Sequence, residues 1–315
     1  MYNGPIIDAH QHFWEPERNP HPWLAKDVLI PFRYGDYTAI KRRYLPPDYL
    51  ADAGKHQIVG SVYIDAEWDP ADPLGETRYI HSVAEKYGYP NAVVAQAWLD
   101  SPDVAHTLAA QSAWPLVRSV RHKPGGALTP DEAKVGTRSL MSNERWLRGY
   151  ALLEKYGLHF DLQTPWWHLD EAARLARDFP QTTIILNHSG LPADRSEQGL
   201  TAWRNAMIQV AKCENVVVKI SGLGQRDLPW TVENNRWIIQ EAIAILGAGR
   251  CMFASNFPVD SLCVKLDVLW DAFKQITAHY ESTAQRAMFY GNASKIYRIE
   301  GIDNASLLTE KESAL

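Results

Sequence analysis

The chain has 315 residues, 46% hydrophobic and 22% charged, the balance of a globular enzyme with a large core rather than of a disordered or fibrous chain. A formal net charge of -5, with Lys41-Arg42-Arg43 as the densest basic run, argues against a nucleic-acid partner. No stretch approaches the ~18 uninterrupted apolar residues of a membrane span, so no membrane partner is expected. No charged-then-apolar leader pattern opens the sequence, and Cys213, Cys251 and Cys263 are an odd number without CxxC spacing. Reduced thiols in a cytoplasmic protein are expected.

Along the chain, short apolar or β-branched runs alternate with helical stretches. Candidate strands cover residues 5–12, 57–66, 92–99, 116–122, 158–163, 182–188, 216–221 and 251–256. Runs such as Thr182-Thr183-Ile184-Ile185-Leu186 and Val216-Val217-Val218-Lys219-Ile220 suit strands buried on both faces of a parallel sheet. Helices are expected over 169–179, with Asp170 and Glu171 near the start and Pro180 beyond the end, and over 236–246, closed by Gly247. Eight β-then-α units predict a (β/α)8 TIM barrel spanning 1–300 as one domain, followed by a polar tail over 301–315. Three long excursions, 13–50, 189–200 and 222–235, follow strand ends. They are expected to shape a pocket on the catalytic face.

The first strand ends in His10-Gln11-His12. Residues i and i+2 of a strand share a face, so the two imidazoles project together at the end where barrel enzymes carry their sites. The sixth strand ends at His188, and three imidazoles would leave an open position on one ion for water or substrate. Other strand ends contribute Arg121 and His122 from the fourth, Asp161 and Gln163 from the fifth and Asn256 from the eighth. Arg121 is read as either an ion pair or a carbonyl or anion binder, and Asp161 and Gln163 as either site or barrel-mouth residues. Trp14, Trp166 and Trp167 are candidate pocket walls.

These segments resemble the amidohydrolase superfamily, in the branch that includes L-fuconolactonase, L-rhamnonolactonase and 2-pyrone-4,6-dicarboxylate lactonase. The matching motifs are Ile7-Asp8-Ala9-His10-Gln11-His12-Phe13-Trp14, Val120-Arg121-His122, Leu186-Asn187-His188-Ser189-Gly190 and Phe253-Ala254-Ser255-Asn256-Phe257-Pro258-Val259. The resemblance implies hydrolysis of a small lactone, foremost a sugar or dicarboxylate lactone, by water attack on its carbonyl; Trp14, Gln163 and Trp166 are the candidate substrate contacts. It also implies one divalent ion, zinc by preference, on His10, His12 and His188. The family's strand-eight aspartate, which binds metal and takes a proton from water, is Asn256 here. An amide is a poor zinc ligand and no base, so metal binding is expected to be weakened. The base then falls to Asp260, Asp161 or His122. Two other readings stand beside the lactonase: a metal-dependent decarboxylase of a small aromatic or muconate-type acid, with Arg121 as its clamp, and a binding protein that has lost catalysis. An oligomer is possible.

Overall fold

A computed structural model describes residues 1–302. Eight strands form: β1 (Ile6–Gln11), β2 (Ile58–Ile64), β3 (Ala92–Gln96), β4 (Val117–Arg121), β5 (His159–Leu162), β6 (Ile184–Leu186), β7 (Val216–Ile220) and β8 (Cys251–Phe253). They pair in parallel in sequence order. The sheet curls until its edges meet just past the strand ends. There Gln11 bridges Phe257, the His12 N–H donates to the Phe257 carbonyl at 2.7 Å, and the Asn256 N–H donates to the His10 carbonyl at 2.7 Å. This is the expected (β/α)8 barrel, with helices outside and long loops at the C-terminal mouth.

Asp8, two residues before His10, closes that seam. Its carboxylate accepts from the Ser255 N–H at 2.8 Å and the Tyr49 hydroxyl at 2.8 Å, and from the Ser255 hydroxyl, so strands from opposite ends of the chain are tied by one buried group. Inside the barrel, Ile7, Ala9, Val62, Val94, Val217 and Met252 fill the lower half, and Tyr297 and Ile299 plug it from below. Above this plug sits a fully buried ion pair, Lys219 Nζ to Asp161 Oδ1 at 2.6 Å. It is completed by Asn187 at 2.9 Å and the Tyr297 hydroxyl at 3.1 Å.

The strands are shorter at their C-terminal ends than the apolar runs suggest. After Leu186 the chain turns through His188 (φ 54°) and Ser189 (φ 52°), and after Phe253 it reaches Asn256 (φ 55°). Side chains in the left-handed region cannot continue a ladder, and such strain is characteristic of functional rims. One helix starts earlier than its apolar spacing indicates, at Val232–Leu246, because Thr231 caps it by accepting the Asn234 N–H at 3.2 Å. No helix among the described residues is long and apolar enough to cross a membrane. From residue 303 onward the expected polar tail lies outside the described residues.

Candidate active site

The loop after β1 carries only short turns, Pro22–Leu24 and Thr38–Ile40, before the helix Pro46–Ala53. It keeps its shape through rings: Trp23 stacks on Phe32 at 5.9 Å, and Phe32 meets Tyr37 at 4.8 Å. It folds over the barrel mouth. There Trp23, Phe32 and Arg33 join His12, Arg121, Lys123, Gln163, His188 and Asn256 around a cavity of about 250 Å³.

Three imidazoles meet there, His12 and His188 lining the cavity and His10 fully buried beside them. The His10 ring lies 5.1 Å from that of His12 and 4.6 Å from that of His188. His12 directs Nδ1 at the Ile64 carbonyl at 2.8 Å, so this nitrogen carries the proton. His188 places Nδ1 2.9 Å from the Ser221 hydroxyl. A Cβ on Gly222 would stand 2.5 Å from His188 Nδ1 and 2.9 Å from Arg33 Nη2, and Gly222 holds φ +61°, so only glycine fits between them. All three imidazoles are neutral at ordinary pH. Burial pushes His12 down to about 3, helped by the Arg121 charge, and pushes His10 and His188 well below the usual histidine range.

The cavity cations are counted out against carboxylates. Arg121 Nε binds Asp65 Oδ1 at 2.6 Å, a second guanidinium nitrogen reaches the Asp65 carbonyl, and Nη1 donates to Gln163 Oε1 at 3.1 Å. Lys123 pairs with Glu67, itself at φ 60°. Arg33 stands 3.8 Å from Asp260, a looser pair. Asp260 also accepts from Asn256 Nδ2 at 2.6 Å and the Tyr34 hydroxyl at 3.0 Å, and burial raises it to about 6.

His10, His12, His188, Arg121, Gln163 and Asn256 are thus brought together. Five other expected residues stand elsewhere. His122 does not face the mouth: successive strand residues alternate sides, so with Arg121 inward its ring lies outward against Trp98 and Trp146. Its Nδ1 accepts from the Leu99 N–H at 3.1 Å and Trp146 Nε1 at 3.0 Å. Asp161 is taken up by Lys219 beneath the cavity. Trp14 lies behind His12, stacked at 5.7 Å, with its indole N–H on the Ile40 carbonyl. Trp166 packs edge-on against Trp167 and does not line the cavity. Asp260 is 1% exposed behind Asn256, within reach of that amide rather than of the cavity. Trp23, Phe32, Arg33, Asp65, Glu67 and Lys123 complete the site. The strand-end rule could have found Asp65-Ala66-Glu67, which follows β2 directly.

The imidazoles are suitable donors for a borderline divalent ion. Both ring nitrogens of His10 are buried without a hydrogen-bond partner. The set is nonetheless not assembled as a ligand cage: the eighth strand offers Asn256, and among the described residues no group of three or more His, Cys, Asp or Glu side chains is disposed to hold a metal.

Residues 7–299 match the family described as amidohydrolase. A protein of Sinorhizobium fredii named as the uncharacterized protein y4mH is 40% identical over 294 residues, covering 93% of this chain and 98% of that one. L-fucono-1,5-lactonase of Burkholderia multivorans is 26% identical over 307 residues, covering 93% and 96%. Among solved structures, a Burkholderia multivorans amidohydrolase with bound zinc superposes with a TM-score of 0.77 at 22% identity, over 94% of this chain and 100% of that one.

Proposed function

Because the chain belongs to the amidohydrolase family, we propose that it is a hydrolase that opens a small lactone in the cavity beneath the loop after β1. One observation carries this reading. A neutral imidazole, His188, shares a small cavity with the cations Arg121 and Lys123, at the end of the barrel where such folds do their chemistry.

The lactone carbonyl oxygen faces Arg121 and Lys123, and Trp23 and Phe32 cover the ring. In this mechanism His188 carries its proton on Nδ1, against the Ser221 hydroxyl 2.9 Å away, and Nε2 accepts from the attacking water. The water oxygen bonds to the carbonyl carbon while its proton passes to Nε2, and the carbonyl electron pair moves onto the oxygen facing the cations. Collapse of this tetrahedral species breaks the ring C–O bond. The imidazolium then returns its proton to the departing ring oxygen, and a hydroxy acid leaves. Burial keeps His188 unprotonated beforehand, and the oxyanion that forms nearby offsets that burial as the proton arrives. His12 and Asn256 flank the water, while Asp260 holds the Asn256 amide in place. The 26% identity to a lactonase supports this choice of substrate.

The test is proton release from a panel of sugar lactones, with carbon dioxide release from aromatic acids as the control. Lactone-dependent proton release that disappears in His188→Ala and Arg121→Ala is expected. Carbon dioxide without ring opening would overturn the proposal.

A further inference from the structure

A second cavity of about 450 Å³ adjoins the first, and Arg33 lines both. Its other walls include Trp167, Leu191, Pro192, Arg195 and Arg226. These come from the loops after β5, β6 and β7, so the two cavities are neighbouring compartments of one mouth.

The charge balance differs sharply between the compartments. In the first, Arg121 and Lys123 each lie against a carboxylate. In the second, Arg195 has none among the described residues. Its Nη2 donates to the Leu223 carbonyl at 2.9 Å and to Asn235 Oδ1 at 3.4 Å, both uncharged acceptors, while its Nε and Nη1 are buried without a partner. Burial lowers its pKa to about 10, with only Tyr34 opposing that. Arg33 adds a second cation, held loosely by Asp260 at 3.8 Å. Arg226, paired with the exposed Asp227 at 3.4 Å, stands at the rim. A guanidinium largely taken out of water without an anion is costly, and Arg195 still has charged N–H donors to offer an acid group of a ligand.

We infer that the substrate is an acidic lactone whose ring occupies the histidine cavity and whose carboxylate binds Arg195 and Arg33 in the second cavity. This rests on the lactonase reading for the ring and on the unpaired guanidinium for the acid. Arg33 joins the two halves, because it touches both compartments and lies beside His188 across Gly222.

Two measurements decide it. In the first, glutarate is titrated calorimetrically into the intact protein and into Arg195→Gln. Saturable binding that weakens by about tenfold or more in the variant is expected for the loss of a charged hydrogen-bond pair. Equal binding to both proteins, or none to the unmodified protein, would overturn the subsite. Tighter binding of inorganic phosphate than of glutarate would overturn the carboxylate assignment in favour of a phosphorylated compound. In the second, kcat/KM is compared for aldaric acid monolactones and their methyl esters. A preference for the free acid of about tenfold or more is expected, carried in KM, largely lost in Arg195→Gln and partly kept in Arg195→Lys. An ester used as well as the acid would overturn the inference. If no lactone is turned over, the lactonase reading fails, while the titration still decides the anion subsite. Neither measurement on the unmodified protein depends on a variant folding.

Discussion

Replacing Arg121 with methionine strips the Asp65 carboxylate of its cation. The two side chains are 4% and 5% exposed and meet at 2.6 Å, so solvent can do little to substitute for the lost partner. Breaking a buried pair from one side costs roughly 3–5 kcal/mol. Burial already raises Asp65 above the ordinary carboxylate range, against the opposing pull of Arg121, and without Arg121 it must rise further. A carboxyl with a folded pKa above its unfolded value binds more protons when folded in the window between the two. Stability therefore falls as pH rises through that window. The single variant should lose more stability, relative to the unmodified protein, at about pH 8 than at about pH 5. The double variant Arg121→Met/Asp65→Leu removes the stranded charge and should recover most of the stability. It should leave kcat/KM for lactone depressed by about a hundredfold or more, because the carbonyl has lost a donor. Urea unfolding at both pH values, beside initial rates, separates the two effects. A double variant with near-normal turnover would refute the role given to Arg121, and a pH-independent loss in the single variant would refute the account of Asp65.

Four further outcomes are expected. His122→Ala should cost about 1–3 kcal/mol in chemical unfolding, by leaving the Leu99 N–H and the Trp146 indole unsatisfied, with kcat/KM unchanged. Asn256→Asp should tighten zinc binding in a competition titration with a chromogenic chelator, because a carboxylate oxygen replaces an amide beside neutral imidazoles; flat affinity would show that Asn256 does not face them. As Asp260 titrates near about 6, its protonation below that pH loosens Arg33 and the Asn256 amide, so kcat/KM should fall on the acid side. Asp260→Asn should remove that limb of the pH–rate profile. Trp23→Ala should raise KM for lactone more than it lowers kcat, since the indole covers the ring without touching the reacting bond.

Much of the barrel is legible in the sequence because parallel strands buried on both faces must be continuous apolar runs, and eight such runs alternate with helices. His10, His12, His188 and Arg121 are legible for the same reason: the strand-end rule turns position along the chain into position in space. The rule fails one residue further on. Between Arg121 and His122 the pleat reverses the side chain, and adjacency in sequence becomes opposition across the sheet. Asp161 is open in the sequence between site and barrel-mouth roles, because nothing there reveals that Lys219, two strands away, reaches it. Of the candidate aromatic walls, Trp167 lines the second cavity while Trp14 and Trp166 line neither, and the first is walled by Trp23 instead. A loop stabilised by ring packing has no periodicity from which to read which rings turn inward. Arg33 and Arg195 stand among loop arginines that are mostly solvated, and only the burial of their surroundings sets them apart.

The closing seam has a consequence for how activity arises during synthesis. The strand that leads into His10 and His12 leaves the ribosome long before its hydrogen-bonding partners, Ser255 to Phe257, and the Tyr297 plug. Until that late segment arrives, Asp8 has no Ser255 to bind and the two histidines face no opposite wall. A nascent chain that has made seven strands therefore carries nearly all of the site's residues and none of its geometry, and it presents an open β-edge along which copies can pair. The segment that completes the pocket also removes the edge, so catalytic competence and protection from aggregation begin with the same few residues.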